Sequence, residues 1–424
     1  MNLNFLLDCN VCKTKYLIKH QIGYRSTEFY FECPTCGIML SGKVNINNET
    51  TRISQEFQNL TESNSDENPD YFIQLSGEFY DNKLVKGDAS SRFIPGSFIS
   101  NSFIGYEKMK KLSKWSQYII EGIPQLYSDC ANVIDLIISK KNNEKYVFSE
   151  MIKLHEDTQE FLDFESIEED FLTSYNNQVD SLLFKSVCVP FKPLIDINKN
   201  HFVLSKSRDK LKYVFENNLE EFRNQIEEFD DVIGEVITSI VSKIKAYIEL
   251  LPKLTPLITS EILDIYNIED IKKSKGLNTV DYNELLTNYA DIYEILGRYI
   301  SFKVAVDNVI NRGSVVSFVD NDYRTFRQFH NDSVGNKLNH LKKISNDELK
   351  YMDLSILNNK IRNSINHYSY VYDSLEQKIV FKDRSRSIEM YLVEFANDNY
   401  KMLFLLIEAL YTLCSIRTKF KSTQ

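Results

Sequence analysis

The chain has 424 residues, enough for two or three domains. A formal net charge of −10 argues against a general nucleic-acid coat, while 43% hydrophobic residues can fill a packed core. Only 13 Gly and 8 Pro, among many Leu, Ile, Lys and Glu, point to a mainly α protein built from helical bundles.

The N-terminus, Met1 to Asp8, has no basic start and too short an apolar run for a signal peptide. The most apolar stretch, Met402 to Ile416, is interrupted by Glu408 and reads as a buried helix, not a membrane span. A soluble, cytoplasmic protein without a membrane partner is expected.

Cys9-Asn10-Val11-Cys12 and Cys33-Pro34-Thr35-Cys36 form a C-x2-C-x20-C-x2-C pattern. This is the spacing of a small β zinc ribbon, here assigned to residues 1–48. Each pair bends the chain into a knuckle, and Gly37 suits a left-handed residue closing the second one. Tyr16-Leu17-Ile18 and Phe29-Tyr30-Phe31 read as its strands. C-P-x-C also occurs in thiol oxidoreductases, but two pairs at this spacing favour zinc held by Cys9, Cys12, Cys33 and Cys36. Four thiolates leave no open position, so the zinc is expected to be structural. Lys13, Lys15, Lys19 and Arg25 are the ribbon's main basic residues, and His20 reads as structural. Cys130, Cys188 and Cys414 stand singly in apolar contexts and read as buried thiols.

Residues 49–104 are expected to be a linker with short strands. The polar run from Asn45 to Asp70 reads as an exposed loop. Tyr71 to Val85 alternates like strands around Ser76-Gly77, and Arg92 to Phe103 reads as an irregular connector. Residues 105–278 form a helical middle region. Leu112, Trp115, Ile119 and Ile123 begin an amphipathic stripe, Pro124 marks a break, and Val187 to Pro193 reads as a loop. Glu150 to Asp170 carries nine acidic residues against one basic, and Glu216 to Glu235 eight against one. Such runs are expected to be solvated helix faces. No Gly-rich phosphate loop is present.

Residues 279–424 read as an antiparallel bundle with helices near 283–311, 322–344, 347–372 and 387–417. From Asp322 onward there are 16 Lys+Arg against 12 Asp+Glu, so this end is locally basic.

Within it stands Lys360-Ile361-Arg362-Asn363-Ser364-Ile365-Asn366-His367-Tyr368-Ser369-Tyr370. Arginine holds a phosphate through a planar fork of donors, and histidine exchanges protons near neutral pH. Arg324 and His330 have a similar spacing, but Thr325 replaces the polar amide. An Arg–His pair also serves as a polar helix end. After His367, Tyr370, Tyr372 and Asp373 lead into Gln377-Lys378-Ile379-Val380-Phe381, a strand-like piece.

Arg362, Asn363 and His367 resemble the Arg-polar-x-His element of HEPN domains, an all-helical family whose active members are metal-independent ribonucleases. The resemblance covers roughly the last quarter of the chain. It implies cleavage of RNA by attack of the 2′-hydroxyl on the adjacent phosphorus. His367 would move the proton, Arg362 would stabilise phosphate charge and Asn363 would orient His367 or a phosphate oxygen. Tyr368 and Tyr370 would stack on bases, a role weighed against plain packing. On a helix Arg362 lies about 140° around from His367, so the family's two-fold dimer of motifs is expected here too. Some toxin–antitoxin members carry Tyr two residues after the His, where a partner modifies it; Ser369 stands there instead. The resemblance and architecture fit a toxin-like or antiviral defence effector, with room for a regulatory protein partner. The alternative is a non-enzymatic zinc-ribbon helical adaptor or nucleic-acid-binding regulator.

Overall fold

The computed structural model describes residues 2–23, 25–47, 52–63, 68–87, 105–139, 179–198, 200–319, 322–344, 354–384 and 386–421. The expected connector at Arg92–Phe103 and the acidic run at Glu150–Asp170 lie outside these residues. Helix dominates, with small sheets. The chain forms two compact units, each gathered from three separate stretches. The first comprises Met1–Ile120, Glu249–Tyr289 and Lys360–Tyr400; the second comprises Glu121–Ile248, Ala290–Asn359 and Lys401–Gln424.

The first unit opens with β1 (Asn2–Cys9), β2 (Lys15–Gln21), β3 (Thr27–Glu32), β4 (Met39–Asn47), β5 (Arg52–Gln58), β6 (Leu60–Glu62), β7 (Tyr71–Ser76), β8 (Asp81–Asn82) and β9 (Val85–Lys86). One sheet runs β6-β1-β2-β7-β9 and another β3-β4-β5. Alternate residues Phe5, Leu7, Tyr16, Ile18, Phe29 and Phe31 turn inward and share a core with Leu40, Val44 and Ile73. Among its described residues, the polar run read as a loop from Asn45 to Asp70 is largely strand. β5 pairs with β4 in the register Gly42↔Phe57, and only Ile53 and Phe57 pack on the core. Ser54, Gln55, Glu56 and Gln58 are exposed, so an edge strand has a loop-like composition. His20 is buried with its Nε2 2.7 Å from the Thr27 hydroxyl, which supports the structural reading of that residue.

The later stretches of this unit meet the β module through buried polar groups. β10 (Lys275–Gly276) pairs with β8. Asp81 Oδ2 accepts from the Asn278 amide and from its Nδ2, both at 3.0 Å, and Oδ1 accepts from Ser76 N at 2.6 Å. Gln377 Nε2 donates to Asn278 Oδ1 at 2.6 Å, while Leu277 N donates to Gln377 Oε1 at 2.8 Å. β11 (Tyr370–Asp373), β12 (Lys378–Asp383) and β13 (Arg386–Tyr391) then form an antiparallel sheet.

The second unit is helical among its described residues. Its helices include Ile123–Ile138, Val179–Cys188 and Asn200–Asn217, with most of Asp230–Leu250, Tyr282–Arg312 and Leu392–Lys421. Pro124 sits in the first turn of Ile123–Ile138, after a π-helical turn at Tyr118–Gly122, so it opens a helix where a break is expected. Val187–Pro193 continues as helix and one 3₁₀ turn, with Pro190 and Pro193 near helix starts where no amide donor is needed. Glu408 is buried and ion-paired to Lys303 at 2.6 Å; Ser207 and Tyr299 hydroxyls donate to it at 2.6 and 2.5 Å. That pairing lets a charge sit in an apolar helix. Among the described residues no helix is long and apolar enough to cross a membrane.

Three expectations for the C-terminal stretch are corrected. The single helix over 322–344 is two, Phe326–His330 and Val334–Lys343, because the Thr325 and Ser333 side chains each cap a new start. The helix over 347–372 is a short one, Asn359–Asn366, followed by β11; residues 345–353 lie outside the described set. The helix over 387–417 begins only at Leu392, because Arg386–Tyr391 pairs with β12. The stretch is therefore not a bundle of helices alone.

Burial pushes the Asp81 carboxyl up to about 7 against its three donors. A raised folded-state value means the folded chain binds this proton more tightly than the unfolded chain. Its contribution to stability is full below the unfolded value of 3.8 and is lost as pH rises through about 7. Urea unfolding should therefore show wild type losing stability relative to Asp81→Asn from about pH 4 to about pH 8, because the amide does not titrate. Wild type gaining stability relative to Asp81→Asn over that range would contradict this account.

Candidate functional site

The first unit contains two groupings of chemistry-bearing side chains. In the first, the Sγ atoms of Cys9, Cys12, Cys33 and Cys36 all lie within 4.8 Å of one another. Cys12 and Cys33 sulfurs are 3.5 Å apart, and those of Cys9 and Cys36 are 3.8 Å apart. These are free thiols, not disulfides. Zinc–sulfur bonds of about 2.3 Å in a tetrahedron separate the sulfurs by about 3.8 Å, so the donor set fits that ion.

The two knuckles are built alike. Lys13 N donates to Cys9 O at 3.0 Å, and Gly37 N donates to Cys33 O at 2.8 Å. Cys9 N donates to Thr14 O and Cys33 N to Ile38 O, each at 2.9 Å. Lys13 has φ 62° and Gly37 φ 74°, so both close their turn in the left-handed region. The buried Tyr16 hydroxyl donates to Cys33 Sγ at 2.9 Å, and the Thr14 hydroxyl lies 3.0 Å from Cys12 Sγ. Burial pushes the Cys12 thiol up, but hydrogen bonds with the Thr14 hydroxyl and backbone and with the Cys33 and Cys36 sulfurs outweigh it and bring it down to about 6. Hydroxyl donors behind metal-binding sulfurs orient them and spread their charge. Tyr16 was not legible as such a donor, because it reads as a core strand residue. Cys130, Cys188 and Cys414 are buried single thiols, as the sequence implies.

The second grouping is the Arg362–His367 segment. Arg362 and Asn363 lie in helix Asn359–Asn366, and the Arg362 Nη1 donates to Asn363 Oδ1 at 3.1 Å. The His367 amide donates to Asn363 O at 3.0 Å, so His367 sits one turn beyond Asn363 at the helix end, exposed. Tyr368 N donates to Ile365 O at 3.1 Å and Ser369 N to Ser364 O at 2.9 Å. This pair of bonds is a Schellman ending, with Tyr368 at the left-handed position, φ 51°. A residue with a Cβ pays roughly 1–2 kcal/mol there. Tyr368 recovers little by packing, since it is 85% exposed. Tyr370 differs: it lies half-buried in β11 opposite Phe381. The two tyrosines assigned to base stacking are thus unequal in access.

Ser364 and Ser369 fix this helix end to β12. The Ser364 hydroxyl donates to Ser369 O at 2.7 Å and accepts from Lys382 N at 3.1 Å, and the Ser369 hydroxyl donates to Lys382 O at 2.7 Å. Ser369 is thus tied into the fold. The other spaced pair, Arg324 and His330, is different. His330 packs against the rings of Phe229, Phe302 and Phe326, and burial pushes it down to about 4. Arg324 is exposed.

The two groupings share one unit. The Tyr282 hydroxyl donates to Glu32 Oε1 at 2.5 Å, next to Cys33, and the Tyr282 ring stacks on Tyr372 in β11 with centroids 4.2 Å apart.

The knuckles give a stability test. No heavy atom lies within 4 Å of a Cβ built on Gly37, so Gly37→Ala should cost about 1 kcal/mol through backbone strain alone. Lys13→Gly relieves the same strain in the other knuckle and should stabilise by about 0.5–1 kcal/mol, less the added freedom of the unfolded chain. Urea unfolding measures both, and loss of stability in Lys13→Gly would refute the equivalence of the two turns.

Comparison with known proteins returns nothing: no protein-family model, no curated protein and no solved structure matches this chain.

Proposed function

We propose that this chain is a metal-independent endoribonuclease of the HEPN type, a toxin-like or antiviral defence effector acting in the cytoplasm. The observation that carries the reading is the exposed helix end at His367, with the Arg362 guanidinium and Asn363 amide side by side one turn earlier. An imidazole open to solvent can reach a phosphodiester, which a core histidine cannot. The ribose 2′-oxygen attacks phosphorus, the P–O5′ bond breaks and a 2′,3′-cyclic phosphate forms. His367 draws off the 2′ proton or delivers one to the 5′-oxygen. Arg362 stabilises the equatorial oxygens as charge builds on them, and Asn363 holds the guanidinium in place. Two copies in a two-fold dimer would join two such motifs in one cleft.

Cys9, Cys12, Cys33 and Cys36 would hold zinc. When bound, zinc neutralises four crowded thiolates and stabilises the small β module. Tyr16 and Thr14 orient the sulfurs.

One observation favours the adaptor reading. The Arg362 guanidinium is partly buried and engaged with Asn363, as in a polar helix end. Cleavage separates the two readings. Wild type should cut single-stranded RNA in EDTA and leave 2′,3′-cyclic phosphate ends. Arg362→Ala and His367→Ala should each lose at least about 100-fold in rate while keeping their circular dichroism. Equal cleavage by all three proteins would sink the enzyme. For the metal, elemental analysis of purified protein should find one zinc per chain, and Cys33→Ser should lose it together with the cooperative unfolding of the β module. Full zinc in Cys33→Ser would refute the four-sulfur site.

A further inference from the structure

The strand register brings together a group that the motif does not include. Lys382 N donates to Ser369 O at 2.8 Å, so Lys382 lies beside the residue that follows Tyr368. β12 ends one residue later, and Asp383 pairs with Arg386 across the turn. Arg384 occupies that turn at φ 54°. The β12–β13 tip is therefore anchored at the same end of the sheet as His367 and Tyr368.

Lys382, Arg384 and Arg386 are all exposed, and among the described residues none of the three side chains is held in an ion pair. The nearby carboxylate of Glu389 is taken by Lys378 instead. Three cations against the one carboxylate of Asp383, on a chain of net charge −10, are a local feature, not a consequence of composition. Tyr368 adds a second, independent observation. It holds a large aromatic ring in solvent at a backbone position that favours glycine. Neither burial nor backbone preference accounts for a tyrosine there, and strain of this kind is retained where the side chain is used.

We propose that Tyr368 and the β12–β13 tip form a binding site for single-stranded RNA, with Tyr368 stacking on a base while Lys382, Arg384 and Arg386 hold the phosphates that flank it. An acidic peptide would satisfy the cations but would leave the exposed ring without a partner; a single strand uses both. The choice of RNA rests on the ribonuclease reading.

Fluorescence anisotropy with a labelled oligonucleotide carrying 2′-O-methyl riboses tests the site apart from catalysis, because that strand has no free 2′-hydroxyl to attack. The full chain should bind it. Arg384→Ala/Arg386→Ala should bind at least 10-fold more weakly and flatten the salt dependence by about 1.4 in log–log slope, two phosphate contacts at about 0.7 each. Tyr368→Gly, which suits the left-handed position and so keeps the helix end, should bind about 5- to 100-fold more weakly; Tyr368→Phe should bind like wild type. Lys110→Ala/Lys111→Ala, an exposed basic pair elsewhere in the same unit, should have no effect. No binding by wild type, wild-type binding by both the hairpin and Tyr368→Gly variants, or equal loss in the Lys110/Lys111 variant would overturn the proposal. Specific binding by a chain that fails to cleave unmodified RNA would sink the ribonuclease reading and leave this site standing.

Discussion

The first unit depends on one side chain and its peptide group, those of Asn278. Every polar group of this buried residue is occupied. Its amide and Nδ2 meet Asp81, its Oδ1 accepts from Gln377, and its carbonyl accepts from Tyr30 N at 2.7 Å. Asp81 and Tyr30 belong to the N-terminal β module, and Gln377 introduces the late sheet. A stretch of chain far from both in sequence therefore supplies their shared hydrogen-bond partner. Burying that many polar groups is tolerable only because they satisfy one another. Removing one partner would strand the rest, so the three stretches stand or fall together.

Both candidate sites hang from this arrangement. The second knuckle follows β3, whose Glu32 is held by Tyr282 and whose Tyr30 is held by Asn278. The Arg362–His367 helix is fixed to β12, which begins immediately after Gln377. The cysteine module thus braces the unit that contains the Arg–His segment. A structural role for a metal in such a place extends beyond its own knuckles.

The cysteine pattern was legible because the chemistry lies in residue types at fixed spacing, and each knuckle is local. The three single cysteines were legible for a similar reason: an apolar neighbourhood predicts burial. β5 was hidden because its outward side chains are polar, and its strand identity comes from pairing with β4. β11 and β13 were absorbed into predicted helices, since short segments such as Tyr370–Asp373 carry no decisive period, whereas the strand-like Gln377–Phe381 is largely β12. The interleaving of the units was not legible at all. It is set by contacts such as Asn278 with Gln377, about 100 residues apart, which leave no local trace. The motif's residues could be named from sequence, but the cations beside it could not. Lys382 comes beside Ser369, two residues after His367, only through the pairing of β12 with that residue.

That pairing changes how the Arg–His segment is understood. On helical geometry alone, Arg362 faces away from His367, and a phosphate beside the imidazole would need a cation from a second copy. The hairpin offers cations from the same chain, at the end of the sheet where His367 emerges. Arg362 meanwhile is engaged with Asn363, one turn back. On the proposed ribonuclease reading, holding the substrate and stabilising its transition state become separable tasks. The tip is suited to the first, since exposed cations act on phosphates wherever they lie along a strand. Arg362 is suited to the second, since a partly buried guanidinium fixed by an amide keeps one orientation. On that reading, dimerisation would serve to bring the fixed guanidinium to the reacting phosphate, not to attract the strand.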